Sequence, residues 1–347
     1  MGYVDADAHV IETEETWAHL SEADKEHTPL IVRQYNGPEV VNQGRLTSEY
    51  WVMDNRLHAK DRNVGPDTPA ESREMRDVGA RIAHMDALGI DMQVLYPTVF
   101  LRPAVRTAGA ELALTQAYNR WLGNIWKQQP DRLRWVAMPS LLSLDRVRDE
   151  IAWAKDNGAC GIFMRGLEWD RHIADPYFYP LYEIASELEL PICIHSGTNS
   201  ITQHDFCLED TSFTKFLQPG IGAFQSLVAR GVPSKFPDLR WGFVELSAQW
   251  LPYIHNDLIW RLQRAGKKAP DNILTANRIY VTCSMSDDVA YILKYAGEDN
   301  LMLGTDYGHN DQQSQINAFS LFRERNDIAP SVVTKITEVN PRALYAF

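Results

Sequence analysis

The sequence predicts an α/β fold, a (β/α)8 TIM barrel with a long insertion after its first strand. Eight short apolar runs alternate with eight longer segments of helical periodicity, as such a barrel requires. Several runs, such as CGIFM and PICIH, are apolar on both faces, which is typical of buried parallel strands. An open doubly wound sheet would need a glycine-rich phosphate turn after the first strand, where this chain reads DADAHVIE.

The predicted strands share short length and apolar character, and they span residues 3–7, 92–97, 133–138, 160–164, 191–195, 239–245, 278–282 and 301–304. The predicted helices have apolar residues three or four positions apart, and they span residues 73–88, 110–128, 144–157, 176–189, 214–230, 248–264, 287–296 and 312–325. Gly89 is expected to end the first helix.

The 347 residues are expected to form one metal-dependent barrel domain, 1–347, because barrels of this length are commonly single domains. Residues 13–72 form an insertion rich in Trp, Tyr, Pro and charge, and residues 197–213 form a long polar loop after the fifth strand. Long loops on a rigid scaffold tend to cover substrates. Residues 13–72 are therefore expected to act as a lid.

Composition argues against several classes of partner. The formal net charge is −12 and no Lys/Arg-rich run occurs, so we expect no nucleic-acid binding. No apolar run reaches the length of about 18 residues that a membrane span needs, and the acidic N-terminal residues do not resemble a signal peptide. The four cysteines form no C-x-x-C pair. These features predict a cytoplasmic protein with reduced cysteines.

Four predicted strands end in side chains that can bind a metal. The first ends in Asp5-Ala-Asp7-Ala-His9, the fifth at His195, the sixth at Glu245 and the eighth at Asp306, followed by His309. Catalytic residues of barrels lie where strands end, and converging carboxylates repel one another unless a cation lies among them. The predicted metal ligands are therefore Asp7, His9, His195, Glu245, Asp306 and His309, with Glu245, Asp306 and His309 as catalytic residues.

Other residues are candidates for further roles. Glu12 is a further candidate ligand, and His58 is either a lid contact or, as we expect, solvated. Trp17 and Trp51 in the insertion are candidates for lining an apolar substrate cavity. Three arginines near the ends of the second and fourth strands are candidates for binding a substrate carboxylate or phosphate, and surface ion pairing is equally compatible: Arg102, Arg165 and Arg171.

Four motifs carry a family resemblance: D-x-D-x-H-V-x-E near the N-terminus, H-S-G after the fifth strand, W-L-P after the sixth and G-T-D-Y-G-H after the eighth. In this order they resemble the amidohydrolase superfamily, in the branch of aminocarboxymuconate semialdehyde decarboxylase and resorcylate decarboxylase. The resemblance implies metal ligands at Asp7, His9, His195 and Asp306. The chain departs from that branch at Glu245, where a His is usual, and in the run GIFMRG, which lacks a bridging lysine.

The many carboxylates lead to a first hypothesis, because oxygen ligands favour iron or manganese and can hold two ions. The runs FVELSAQWLPY and AGEDNLMLGTDYGHND also resemble a subgroup similar to the TIM-barrel nonheme di-iron monooxygenase of platensimycin and platencin biosynthesis. That resemblance implies an oxidoreductase with two iron ions. It would use molecular oxygen to hydroxylate an apolar, CoA-linked substrate in natural product biosynthesis.

Two alternatives remain open. The broader branch implies a metal-dependent hydrolase or nonoxidative decarboxylase with zinc or manganese, although the His expected at position 245 is missing. A non-catalytic binding protein would show a degraded ligand set, whereas this set is nearly complete. A small-molecule substrate is expected in either enzyme, and a homo-oligomer is compatible with the sequence.

Overall fold

The computed structural model describes residues 2–33, 49–60, 64–207 and 213–347 with side chains, and residues 40–42 and 45–47 as backbone. Within these residues, one sheet has eight parallel strands that pair in chain order. They are β1 Val4–His9, β2 Met92–Tyr96, β3 Leu133–Ala137, β4 Ala159–Arg165, β5 Ile192–His195, β6 Trp241–Val244, β7 Ile279–Cys283 and β8 Leu301–Leu303. The predicted (β/α)8 TIM barrel is confirmed.

Each strand is followed by a helix on the outside of the barrel. These helices are α1 Val78–Leu88, α2 Ala108–Trp126, α3 Val147–Asp156, α4 Tyr179–Glu187, α5 Gln218–Ala229, α6 Leu251–Arg264, α7 Val289–Ala296 and α8 Ala318–Arg323. Shorter helices span Glu14–Trp17, Ala70–Arg73, Ile201–Phe206, Val232–Lys235, Ile273–Asn277, Pro330–Thr334 and Asn340–Tyr345. Among the described helices, none is both long and apolar enough to span a bilayer.

Single helical turns and short strands complete the described elements. The 3-10 turns are Glu22–His27, Val99–Leu101, Leu144–Arg146 and Pro176–Phe178, and the π-helical turns are Phe213–Leu217 and Lys335–Val339. Short strands are Leu30–Arg33, Val40–Asn42, Arg45–Thr47, Glu49–Met53, Arg56–Ala59, Leu167–Glu168 and Arg171–His172. The predicted insertion and the loop after the fifth strand each include residues outside the described ranges: 34–39, 43–44, 48, 61–63 and 208–212.

The first barrel helix is shorter than the sequence predicts. It begins at Val78 rather than at residue 73, because the Asp77 carboxylate caps it by accepting the backbone N–H of Ala80 at 3.0 Å. Met75 has a positive φ of 55°, which separates this helix from the short helix before it. The helix ends at Gly89 with a φ of 70°, as predicted.

Side-chain hydrogen bonds and one isolated backbone bridge between Ala8 and Tyr307, rather than a regular ladder, close the barrel between β8 and β1. The Asp5 carboxylate accepts the Thr305 backbone N–H at 2.9 Å, the Thr305 hydroxyl at 2.6 Å and the Gln93 amide at 2.9 Å. The backbone N–H of Asp306 donates to the Asp7 carbonyl at 3.0 Å. The Asp5 carboxylate is thus occupied by hydrogen bonds at this junction between β8 and β1, which we call the seam. The seam places Asp7 beside the end of β8.

The seam requires a glycine at position 304. A Cβ there would lie 2.3 Å from the Asp7 Cβ and 3.1 Å from the Asp7 backbone, so Asp7 would have to move. We expect Gly304→Ala to lower the free energy of unfolding by about 1–3 kcal/mol, as overpacking does, and to weaken binding of a divalent ion. Urea unfolding and Mn²⁺ titration measure the two effects.

Gly222→Ala is the matched control for this substitution. Gly222 lies in α5, and a Cβ there meets nothing within 4 Å. We expect this variant to be slightly more stable than the wild type, because alanine favours a helix. Equal stability and ion affinity in both variants would contradict the role given to Gly304.

Tyr345, in the last described helix, forms hydrogen bonds with residues of β1 and β2. The Tyr345 hydroxyl donates to the Ala6 carbonyl at 2.8 Å and accepts the Tyr96 hydroxyl at 2.6 Å. The Tyr96 ring in turn lies with its centroid 5.1 Å from that of His195.

All four cysteines are free thiols, as predicted, and Cys160, Cys193 and Cys283 are buried.

Candidate metal centre

The six predicted ligands meet at the carboxyl ends of the barrel strands. Asp7 and His9 lie in β1 and His195 ends β5, whereas Glu245 and Asp306 follow β6 and β8. All of them, with His309, are less than a tenth exposed. Among the described residues, donor atoms within 4.8 Å of one another form two overlapping quartets: Asp7, His9, His195, Glu245 and His9, Glu245, Asp306, His309.

The two β-strand histidines aim lone pairs into the cluster. His9 Nδ1 lies 2.9 Å from the Pro97 carbonyl and His195 Nδ1 lies 3.0 Å from the Ser196 carbonyl. A carbonyl only accepts, so each Nδ1 carries a hydrogen, and Nε2 is the nitrogen of each ring that can offer a lone pair to an ion. Burial lowers the pKa of His9 to about 3, which keeps that ring neutral.

Carboxylate oxygens face these lone pairs. His195 Nε2 is 3.3 Å from both Asp7 Oδ1 and Glu245 Oε2. His9 Nε2 is 3.4 Å from Asp7 Oδ1 and 3.7 Å from Glu245 Oε2. Among the described residues, His9 Nε2 and Glu245 Oε2 are buried without a hydrogen-bond partner. Buried polar atoms without partners are costly unless something else compensates them.

A single divalent ion fits this arrangement. A tetrahedral ion about 2.1 Å from each ligand separates its donors by about 3.4 Å, close to the 3.3–3.7 Å observed between these atoms. Burial, and next the charge of Asp306, raises the pKa of Glu245 well above its usual value. The cluster is therefore unfavourable as free carboxylates, and a cation would remove the repulsion.

Asp306 and His309 share a proton. The Thr98 hydroxyl donates to the Val10 carbonyl at 2.7 Å, so it accepts His309 Nε2–H at 2.9 Å. His309 Nδ1 lies 2.7 Å from Asp306 Oδ1, and this short contact requires a second hydrogen between the two atoms. Burial raises the pKa of Asp306 well above its usual value. The pair thus holds a proton beside the quartet of Asp7, His9, His195 and Glu245.

Glu245 and Asp306 leave their strands through left-handed backbone. Their φ values are 55° and 52°, which few residues other than glycine adopt. The predicted sixth strand, 239–245, therefore ends at Val244, and the Glu245 backbone N–H donates to the Thr282 hydroxyl at 2.9 Å. Such strain commonly occurs at functional sites, where it aims a side chain.

The remaining candidates lie outside the two quartets. The Glu12 carboxylate accepts the backbone N–H groups of Thr98 and Val99, each at 3.0 Å. His58 is only 7% exposed, so the expectation that it is solvated is wrong. Arg165 is buried in an ion pair with Glu168 at 2.7 Å and is not available to a substrate.

A pocket that is partly open to solvent adjoins the centre on the side of Thr98, which hydrogen-bonds His309. It is lined by Ile11, Glu12, Trp51, His58, Ala59, Thr98, Val99 and Arg102. Trp17 lies behind Trp51, with ring centroids 6.2 Å apart. A smaller polar pocket lies on the side of Asp7, Glu245 and Asp306, and includes Ser247, Thr282, Ser284 and Gln313.

Sequence reasoning missed two residues that hold the site together. Thr98 orients His309, and the Ser314 hydroxyl donates to Asp306 Oδ2. Thr98 lies just past the end of β2, and that position is the one clue in the sequence.

The family model described as Amidohydrolase matches residues 4–347. The chain belongs to the amidohydrolase family. No curated protein matches its sequence. The amidohydrolase fold is shared with several solved structures of low sequence identity. One is an amidohydrolase from Mycobacterium avium subsp. paratuberculosis, 18% identical over 99% of each chain, with a TM-score of 0.79.

Two decarboxylases of known structure also share the fold of the present chain. One is the 5-carboxyvanillate decarboxylase from Novosphingobium aromaticivorans, solved with manganese and 4-hydroxy-3-methoxy-5-nitrobenzoic acid. It is 22% identical to the present chain, the alignment covers 82% of this chain and 85% of that chain, and the TM-score is 0.66. The 2,6-dihydroxybenzoate decarboxylase from Rhizobium is 18% identical, with 100% of this chain and 99% of that chain covered and a TM-score of 0.65.

These findings correct the first hypothesis. The interpretation as an oxidoreductase, a di-iron monooxygenase, is wrong, because the family and its structural relatives are amidohydrolases and decarboxylases. The geometry also disfavours two ions: both quartets need His9 Nε2, which has one lone pair. None of the named relatives confirms the resemblance to the monooxygenase subgroup. The CoA-linked substrate and the homo-oligomer stay predictions.

Proposed function

We propose that this amidohydrolase-family protein is a metal-dependent nonoxidative decarboxylase of a small aromatic acid. The observation that carries the proposal is the pair of buried, unpartnered atoms, His9 Nε2 and Glu245 Oε2, within a cluster of lone-pair donors. Such a cluster suits one divalent cation, for which manganese is our first choice and zinc our second. The named decarboxylases among its structural relatives support the reaction type.

Asp7, His9, His195 and Glu245 are the proposed ligands. Each offers an oxygen or a nitrogen atom within 4.8 Å of those of the other three, and Glu245 Oε2 is buried without a hydrogen-bond partner among the described residues. Asp306 Oδ1 also lies 3.4 Å from His9 Nε2, but both of its oxygens are hydrogen-bonded, Oδ1 to His309 and Oδ2 to Ser314. We therefore assign Asp306 to proton transfer, although the family resemblance implies a ligand there.

When bound, the ion would hold substrate oxygen atoms and withdraw electron density from the bond that breaks. In the reaction, the bond between the ring carbon and the carboxylate breaks, carbon dioxide leaves, and the electron pair stays on the ring carbon. That carbon then takes a proton, which the Asp306–His309 pair supplies and later regains from solvent. The net change is one carboxylate and one proton converted to one arene hydrogen and carbon dioxide.

The pocket beside Thr98 suits such a substrate. Trp51, Ile11 and Val99 give it an apolar lining, and Arg102 adds a cation that can bind an acidic or polar substituent. We propose that the insertion, residues 13–72 of a single 1–347 domain, supplies one wall of this pocket.

Metal removal tests the proposal. Protein freed of metal by chelation is assayed without oxygen on a panel of hydroxybenzoic acids, with Mn²⁺, with Zn²⁺ or with no added ion. We expect carbon dioxide release only after an ion is restored, with at least about a hundredfold loss in its absence. Hydrolysis of ester or amide probes without any carbon dioxide release would instead identify a hydrolase.

A further inference from the structure

A β-hairpin of the insertion forms one side of the pocket. Its strands, Glu49–Met53 and Arg56–Ala59, pair in a register that sets Trp51 directly opposite His58. Both side chains line the pocket and are nearly buried, with 3% and 7% exposure. Leu57, next in sequence to His58, is 66% exposed, as expected for the opposite face of a strand.

Three contacts tie this hairpin to the barrel loops. In its turn, the Asp54 carboxylate accepts the backbone N–H groups of Arg106 and Thr107 at 2.5 and 2.7 Å. Arg56 pairs with Asp205 at 2.8 Å. His58 Nε2 lies 3.3 Å from the Ala104 carbonyl. Because these contacts reach two different loops, the hairpin is held in place over the pocket.

The contact with Ala104 fixes what His58 can offer to a ligand. The carbonyl only accepts, so Nε2 carries the hydrogen and Nδ1 of the neutral ring keeps its lone pair. No described residue hydrogen-bonds Nδ1. Burial, and next the charge of Arg56, lowers the pKa of His58 to about 4, in keeping with a neutral ring. His58 is thus an acceptor, whereas Arg102 in the same pocket is a donor.

We propose that the hairpin is a fixed specificity wall, on which Trp51 packs against the ring of an aromatic acid and His58 accepts a hydrogen bond from its hydroxyl or amino substituent. This inference rests on the proposed function, because it places the reacting carboxylate at the metal centre. It deepens that function by requiring a hydrogen-bond donor on the substrate, which Arg102 cannot recognise.

Binding of matched acids tests the wall without requiring turnover. The Mn²⁺-loaded protein is titrated with the 2-, 3- and 4-hydroxybenzoates and with the corresponding fluorobenzoates, which are similar in size but lack the donor. We expect at least one hydroxy isomer to bind about 3- to 10-fold more tightly than its fluoro partner, the range of one hydrogen bond. His58→Phe should reduce that ratio to within about twofold.

Two further variants complete the experiment. Leu57→Ala, on the outer face of the hairpin, should keep the wild-type ratio. Trp51→Leu should weaken hydroxy and fluoro acids alike, by about tenfold, because it removes the aromatic surface. Thermal unfolding of every variant shows that the fold is retained.

The experiment distinguishes a wrong specificity-wall proposal from a wrong proposed function. Equal binding of hydroxy and fluoro acids by the wild type, or an unchanged preference in His58→Phe, overturns the wall even if Mn²⁺-dependent carbon dioxide release persists. A preference that His58→Phe removes, without carbon dioxide release from any acid, supports the wall as a binding site and contradicts the decarboxylase.

Discussion

Replacing His195 by asparagine should leave the purified protein without a bound divalent ion and lower turnover by about a thousandfold or more. His195 Nε2 is 3.3 Å from each of two carboxylate oxygens, Asp7 Oδ1 and Glu245 Oε2, so it lies central to the proposed ligand quartet. In the wild type, Mn²⁺ at 100 times its Kd should raise the free energy of unfolding by about 2.7 kcal/mol. Elemental analysis and urea unfolding with and without Mn²⁺ measure both effects.

His172→Asn is the control for this variant. His172 is exposed and lies in the short strand Arg171–His172, outside both quartets. The His172→Asn variant should keep the wild-type ion content, the wild-type turnover and the stabilisation by Mn²⁺. A His195→Asn protein that retains a full equivalent of ion and is still stabilised by it would show that the ion binds elsewhere.

Asp306→Asn should lower turnover by about a thousandfold and leave the ion content close to that of the wild type. The variant cannot share a proton with His309, and removal of a proton donor typically slows such steps by about 10²–10⁴. Asparagine tolerates the left-handed backbone at position 306, where φ is 52°, so the fold should be retained. Single-turnover kinetics and elemental analysis on the same preparation provide the measurements.

Glu245→Gln is the matched comparison, because it also replaces one carboxylate by an amide in left-handed backbone. It should lose both the ion and turnover, since the neutral amide is a much weaker ligand. If Asp306→Asn loses the ion while Glu245→Gln keeps it, the roles of the two carboxylates are reversed and Asp306 is the ligand implied by the family resemblance.

The barrel strands were predictable because burial on both faces leaves a simple pattern. The run at 160–164 predicts the core of β4, which extends over Ala159–Arg165. The ends of elements were harder. The spacing of apolar residues predicted that the first helix begins at residue 73, whereas the helix begins at Val78 and is capped by Asp77. At β6 the same reasoning could not show that Glu245 turns into left-handed backbone.

The candidate ligands were predictable because parallel strands deliver their last residues to one rim. What each carboxylate does there depends on hydrogen bonds between distant residues, such as Thr98 with His309, and a pattern of residue types does not contain them. His58 was misjudged for the same reason. Its burial depends on hairpin pairing and on Ala104, neither of which appears in the local sequence.

The oxidoreductase hypothesis failed because it inferred chemistry from the types of ligand and from the resemblance of two short runs to a monooxygenase subgroup. Many carboxylates indicate an oxygen-rich metal site, but they do not fix how many ions it holds. In the folded protein, His9 belongs to both quartets, and Asp306 is already engaged by His309. The number of free lone pairs, which only the structure gives, favours one ion.

The seam between β1 and β8 has a consequence for the order of biosynthetic events. Asp7 and His9 are translated first, but Asp5 finds its partner in Thr305, and Ala6 finds Tyr345 still later. Contacts so distant in sequence form late and slowly. We therefore expect a nascent chain that has not yet exposed the helix Asn340–Tyr345 to have almost no affinity for the ion, and high affinity to arise only after that helix has left the ribosome.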